Sequence, residues 1–587
     1  MKQFNFKAKT TAIAMLAGMV AAGPVLAKSD GGDRYEYWAA DQSNSVPGEA
    51  SRGVKGSFMW VWDSKDVDRQ LKTGKLAEPL GCDGKNRPGD GPCNVLDVFP
   101  SSLVEHDGDG PTGFTLGDLP AFGKLHGMLA DPQNRYMNVN MFANGGGYVG
   151  IVDGETKEAV ALFRVTETNG TGVKRSLHMS FWNSDGSALL LANLHGKVLE
   201  RIDITRKNGG KIIGASFNKS ASLGVGKNMV ITDEATAFLG TNGQGKDMIG
   251  SVSGSYDMAG AFSDLTPNGD CKENGCDSNG TQPDGTDNGE MGGRANNVIV
   301  CPIVSDNDNA YITFGGGGLL VADITATPMS IIGEYDNQVV NGAGCGGVQV
   351  GDDMWLNAGA SASGAGATQS TFTMYTIDDT QFSSSANAPN TPAPTEVYKD
   401  PTNTATIGNV GGDPNPNTTG QIPGTTTRRD AHGMARTLSG SHIHNVDRIQ
   451  NIVEVFDTST NANTTYDLTS ADGQGNGLGA CAAASVTDDA GLPGNDPAPD
   501  LMDTTPDGKY LVVALRGPTP VSVTHAAQGS CPGVGIIEVL DGGASGRLAG
   551  VLRTTNTIDT APVSAPGGHA YTGNEHSDPH GASIRKK

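Results

Sequence analysis

Seven times along this chain a short apolar run closes on an aspartate. The runs are FMWVWD to Asp63, YVGIVD to Asp153, VLERID to Asp203, LLVAD to Asp323, TMYTID to Asp378, IVEVFD to Asp457 and IIEVLD to Asp541. Continuous or alternating apolar runs ended by Asp and a Thr, Gly or Ser turn are strand signals. Each follows another strand-like run: YEYWAAD, RYMNVNMF, ALLLANL, AYITFG, MWLNAG, SHIHNV or KYLVVAL. The two runs read as a hairpin. In six copies a third run lies upstream, HGMLA, HMSFW, CPIVS, CGGVQV, HGMART or DLMDTT, usually set off by a turn such as ADPQNR, NSDGS or TPDGK. The unit is three strands plus a less regular outer one. Seven such units predict an all-β, seven-bladed β-propeller rather than a set of β-sandwiches. The first unit lacks its third run, and the C-terminal HGASIRKK matches it. A C-terminal strand closing the first blade would leave the ring without a seam.

The ends of the chain and its composition set the setting. Residues 1–27 carry Lys2, Lys7 and Lys9, the apolar stretch TAIAMLAGMVAAG and a small-residue site ending at Ala27. This is the pattern of a secretory signal peptide. Residues 28–587 are then expected to form one propeller domain in the periplasm or outside the cell, with no membrane insertion. A net charge of −23 argues against nucleic acid as a partner. Eight cysteines in an exported chain imply disulfides. Cys82 with Cys93 and Cys271 with Cys276 are close enough in sequence to be local pairs, and Cys481 with Cys531 is a third. Cys301 and Cys345 fit either a disulfide or thiolate ligation. No CxxCH, Gly-rich phosphate loop, HExxH or GxSxG is present, so covalent haem and nucleotide are not expected, and no catalytic motif stands out.

The register of the blades is more informative. Counting back ten positions from the start of each second strand reaches His126, His178, Cys301, Cys345, His432 and Asp500, and the tail adds His580. Every one of these seven positions carries a metal-ligand type. Innermost strands converge on the propeller axis, so these side chains are expected to face one another at the hub. Imidazole and thiolate suit copper or zinc, and a carboxylate widens the choice. A purely structural role for each His before its strand is the competing expectation.

Long excursions at roughly 65–124, 205–294, 380–430, 458–498, 516–534 and 555–579 are expected to cap one face. That cap would bring His106, His195, His525, His569 and His576, the last four residues before His580 in NEHSDPH. Acidic, Gly-rich loops such as EHDGDG could hold calcium, although solvated loops explain them as well.

The stretches TPDGKYLVVALRG … IIEVLD and HGMLADPQNRYMNVN … YVGIVDGETKEAVALFRV resemble the YVTN-type, nitrous-oxide-reductase-like family of seven-bladed propellers. In nitrous oxide reductase a His-lined propeller mouth holds a copper cluster, and the resemblance carries over to His126, His178, His432 and His580. The full His set and a downstream cupredoxin domain are not seen, so nitrous oxide reduction itself is not implied. Three functions follow as expectations. One is a propeller binding a transition metal, copper first, at a His-rich mouth with a redox role. The second is a non-catalytic propeller binding a protein, polysaccharide, cell-surface or small-molecule partner through its loops. The third is a calcium-dependent, lactonase-like hydrolase.

Overall fold

In a computed structural model of the chain, the described residues are 34–43, 57–119, 122, 124–142, 145–169, 173–225, 230–256, 298–315, 317–335, 339–340, 344–359, 372–382, 392–400, 429–486, 494–518, 520, 528–555 and 575–587. The segment 1–27, Cys271, Cys276, His525 and His569 lie outside them. All described residues belong to the unit Asp33–Lys587.

The fold is an all-β propeller. Among the described residues, seven sheets of four or more antiparallel strands follow one another along the chain, with one separate two-stranded ribbon pairing Glu167–Thr168 with Ile231–Asp233. Six of the sheets have a full outer strand of their own. In the seventh, closed by the C-terminus, the outermost strand is only Cys93–Asn94. In each sheet the upstream run of the sequence repeat is the edge strand facing the hub. These inner strands are Leu125–Ala130, Leu177–Trp182, Ile299–Val304, Gly347–Val350, Ala431–Arg436, Pro499–Thr504 and Pro579–Lys586.

The repeated aspartate has a local cause. Its side chain accepts backbone N–H groups two or three residues on, which turns the chain into the outer hairpin. Asp153 Oδ1 takes Glu155 N at 2.9 Å and Thr156 N at 3.2 Å, and Asp457 Oδ1 takes Ser459 N at 2.8 Å. Asp63, Asp323 and Asp378 do the same. Period-2 alternation then serves two interfaces at once. Leu189 and Leu191 pack toward the preceding sheet, Ala188, Leu190 and Ala192 toward the next. Seven buried apolar clusters lie between successive sheets, and the last joins Val512, Ala514 and Ile536 to Tyr35, Tyr37 and Trp62.

The tail closes the ring as the repeat implied. Tyr35–Asp41 pairs antiparallel with Pro579–Lys586, from Tyr35 opposite Lys586 to Asp41 opposite Pro579. Buried charges lock the junction: Arg585 Nε donates to Glu36 at 3.0 Å, Lys157 Nζ reaches the same carboxylate at 3.1 Å, and Lys587 pairs with Asp63 at 2.7 Å. Among the described residues three disulfides are formed, Cys82–Cys93, Cys301–Cys345 and Cys481–Cys531.

The excursions 65–124 and 205–294 are not loops throughout. Residues Ser64–Thr73 form a helix, and Val104–His106, Pro111–Thr115 and Thr236–Leu239 extend the second sheet to seven strands. His106 thereby sits beyond that sheet's outer strand Ala159–Arg164, away from the hub.

Removing residues 579–587 strips the inner strand from its sheet and opens the last apolar cluster. The truncated chain is expected to lose its cooperative unfolding transition in calorimetry. The milder Arg585→Ala leaves Glu36 short of a partner and should cost about 3–5 kcal/mol in urea unfolding. A truncated chain that melts like the full one would contradict the closure.

Candidate metal centre

A single local distortion recurs at the hub. The ladder between the inner and second strand slips between Leu125 and Gly127, Leu177 and Ser180, Ile299 and Pro302, Ala431 and Met434, and Pro499 and Met502. The closing strand slips between Pro579 and Gly581. These steps contain His126, His178, Cys301, His432, Asp500 and His580. A β-bulge leaves a residue outside the ladder, bends the strand and re-aims a side chain. Backbone groups freed by the bulge find side-chain partners on the second strand. Asn140 Nδ2 donates to Gly127 O at 3.1 Å, and Cys301 N donates to Thr313 Oγ1 at 3.3 Å. The His-Gly step is steric as well. A Cβ at Gly433 would run into the carbonyl oxygen of Asp500 on the next inner strand.

The bulged side chains converge. The His126 and His580 rings stack with centroids 3.6 Å apart, His126 Nε2 lies 3.1 Å from His178 Nε2, and the His432 ring is 6.0 Å from that of His580. Asp500 Oδ1 is 2.9 Å from His432 Nε2 and 3.7 Å from His580 Nε2. The donor atoms of His432, Asp500 and His580 all lie within 4.8 Å of one another. His178 instead faces the Cys301–Cys345 disulfide. The ring expected as one set of seven is therefore divided, with two cysteines tied to each other. His576 is buried just before the closing strand, its Nε2 without a hydrogen-bond partner, and is not part of the His432–Asp500–His580 group. His195 Nδ1 lies 2.6 Å from Ser176 Oγ, at the entry to the strand that bears His178.

Sequence reasoning missed the arginines. Arg448 and Arg516 follow second strands and form a buried chain of ion pairs across the seams. Arg448 donates to Asp430 at 2.6 and 2.8 Å and to Asp500 Oδ2 at 3.0 Å. Arg516 donates to Asp500 Oδ2 at 2.8 Å and to both oxygens of Asp578 at 2.7 and 2.8 Å. A signal was present: Asp430 and Asp578 each stand two residues before a hub His, in RDAHG and SDPHG.

This network sets protonation. Burial opposes charge on Asp500, yet His580, His432 and Arg448 hold its carboxyl well below the usual range. Burial also pushes His580 and His126 far below the ordinary imidazole value and His178 down to about 3. The two guanidiniums, both ion-paired with its Oδ2, are the fixed charges beside Asp500. The tautomer of His580 follows from its partner. His580 Nδ1 lies 3.0 Å from the His126 carbonyl, which can only accept, so Nδ1 carries the proton and Nε2 a lone pair. His432 Nε2 stands between Asp500 Oδ1, an acceptor at 2.9 Å, and Arg448 Nη1, a donor at 3.4 Å, so either tautomer meets a suitable neighbour.

Asp500 Oδ1 completes the group. Both arginines occupy Oδ2, while Oδ1 is buried with no hydrogen-bond partner, the approach of His432 being too oblique for one. His432 Nε2, His580 Nε2 and Asp500 Oδ1 thus face one another within 4.8 Å, an arrangement that a cation satisfies. Two His and one carboxylate with an open position is a zinc-type or non-haem-iron-type donor set. The ion pairs of Arg448 and Arg516 and the backbone bond of His580 are the outer contacts that orient such ligands. Beyond the ring the inner strands line a cavity of about 620 Å³ with Met128, Met179, Ile303, Met434, Met502 and Ala582. It is bordered by residues that follow the ring, not by the insertions that precede it.

No protein-family model matches the chain, and no curated protein does. Solved structures do. A protein from Lactobacillus plantarum is 11% identical, with 94% of this chain and 99% of that chain covered and a TM-score of 0.41. The periplasmic gluconolactonase PpgL of Pseudomonas aeruginosa is 8% identical, with 93% and 98% covered and a TM-score of 0.41. At these values the likeness carries nothing about activity, and the resemblance to the YVTN-type family rests on the quoted residues alone.

Arg516→Ala would leave Asp500 and Asp578 buried without their shared cation. The expected loss is about 3–5 kcal/mol of stability in denaturant unfolding, with Arg516→Lys recovering only part because one ammonium cannot span both carboxylates.

Proposed function

We propose that the chain is a seven-bladed, exported propeller that binds one divalent transition metal at its hub, through His432, Asp500 and His580. The observation that carries this is the buried Asp500 Oδ1 with a ring nitrogen of His432 at 2.9 Å and of His580 at 3.7 Å beside it. The seven interface clusters support the blade count. Three disulfides among the described residues agree with an oxidising compartment, and no helix among them is long and apolar enough to cross a membrane.

Zinc fits this donor set better than Cu(I). With Cys301 and Cys345 paired, the remaining atoms are two nitrogens and a carboxylate oxygen, and no thiolate is left to favour Cu(I). Calcium prefers an all-oxygen shell, which the hub does not offer. A bound zinc with an open position would supply Lewis acidity. The protein's own part is to hold the two imidazoles in place and to keep Asp500 ionised through Arg448 and Arg516. A hydrolytic role, as in the lactonase-like expectation, would use this same centre. A partner-binding role would leave it without purpose.

Elemental analysis of the purified protein is expected to give about one zinc per chain. Calorimetric titration of the metal-depleted protein with Zn²⁺ should show His432→Ala and His580→Ala each weakening binding by at least about tenfold, with far-ultraviolet circular dichroism unchanged. Folded protein that is metal-free and resists reconstitution would end this reading. Copper in the purified protein would transfer it to a copper centre.

A further inference from the structure

The second cluster of ligand atoms at the hub is held shut by a covalent bond. His178 Nδ1 lies 3.7 Å from Cys301 Sγ and 3.9 Å from Cys345 Sγ, and the three donor atoms lie within 4.8 Å of one another. The imidazole is held in place by its neighbours. Gln42 turns its amide oxygen, an acceptor, to within 3.4 Å of His126 Nδ1, so that nitrogen carries the proton and His126 Nε2 a lone pair. His178 Nε2, 3.1 Å away, must then donate to it. His178 Nδ1 faces both sulfurs, and the ring also bonds the Val300 carbonyl. A disulfide sulfur is a weak ligand, whereas a thiolate binds zinc and Cu(I) strongly. The bond is reachable: Cys345 borders the channel, while Cys301 is fully buried behind it.

We propose that the Cys301–Cys345 bond is a redox gate on a second metal site, a His-Cys-Cys set completed by His178 that takes a thiophilic ion such as Zn²⁺ or Cu⁺ only after reduction. The inference shares the hub with the centre proposed above but uses none of its donor atoms. The reductant is a dithiol. One of its thiolates attacks Cys345 Sγ from the channel, the S–S bond breaks, and Cys301 leaves as a thiolate. The second thiol of the reductant then displaces Cys345 and the reductant departs as its own disulfide. Two electrons pass from dithiol to protein, and metal binding releases to solvent any proton still held by either sulfur. The oxidised protein carries one site, the reduced protein two.

Cobalt(II) is the probe, because thiolate ligation gives it an intense charge-transfer band that imidazole and carboxylate do not. The full mature chain is titrated with Co²⁺ before and after treatment with excess dithiol and its removal without air. Reduction is expected to add a second equivalent together with the band, with circular dichroism unchanged. Cys301→Ser/Cys345→Ser, which retains the other six cysteines, should keep the first equivalent and lose the second along with the band. His178→Ala should weaken the second site by about tenfold or more. His432→Ala should do the reverse, losing the first equivalent and keeping the band, so the two sites fail separately. The proposal is overturned if reduced, folded protein shows no band, if the band persists in Cys301→Ser/Cys345→Ser, or if opening this bond unfolds the protein.

Discussion

The pairing of Tyr35–Asp41 with Pro579–Lys586 is the contact on which the other interfaces rest. Without it the sheets form an open row, with one unpaired edge and one uncovered apolar face at each end. With it every sheet is buried between two others. The junction is reinforced where water is absent: Glu36 collects Lys157 and Arg585, and Asp41 accepts Asp578 N at 2.8 Å and Ser577 Oγ at 3.1 Å. His580 is carried by the strand that closes the ring, so the hub site and the closure are made by the same residues.

That coupling explains why the centre can hold so many polar groups out of water. Buried charges cost more than they return unless each is matched. Here Asp430, Arg448, Asp500, Arg516 and Asp578 alternate in sign along one chain of ion pairs that crosses between blades. The guanidiniums bridge blades where main-chain ladders cannot, because ladders run within a sheet. Asp500 sits in the middle of that chain, held by two arginines on one oxygen and left open on the other. The bulges do complementary work. They turn the ring residues out of the ladder toward the axis, and the freed main-chain groups are taken up by Asn140 and Thr313.

The two sets of ligand atoms differ in kind. The donor atoms of His432, Asp500 and His580 lie within 4.8 Å of one another with no bond between them. His178, Cys301 and Cys345 are equally close but chemically closed.

Much of this was legible in the chain, because it is written in local chemistry. Strand periodicity, the turn-forming aspartate and the orphan HGASIRKK are short-range patterns, and they were sufficient for the propeller, its inner strands and the closing tail. The seven ring positions could also be counted from the repeat, since equivalent register places equivalent residues at the axis. The sequence could not divide that ring. Which ring residues touch depends on blade order and on bulges that swing side chains by ångströms, so the separation of His432–Asp500–His580 from His178–Cys301–Cys345 appears only in three dimensions. Arg448 and Arg516 were hidden for the same reason: an arginine after a strand is ordinarily a solvated residue, and only the meeting of neighbouring blades makes it the buried partner of two carboxylates.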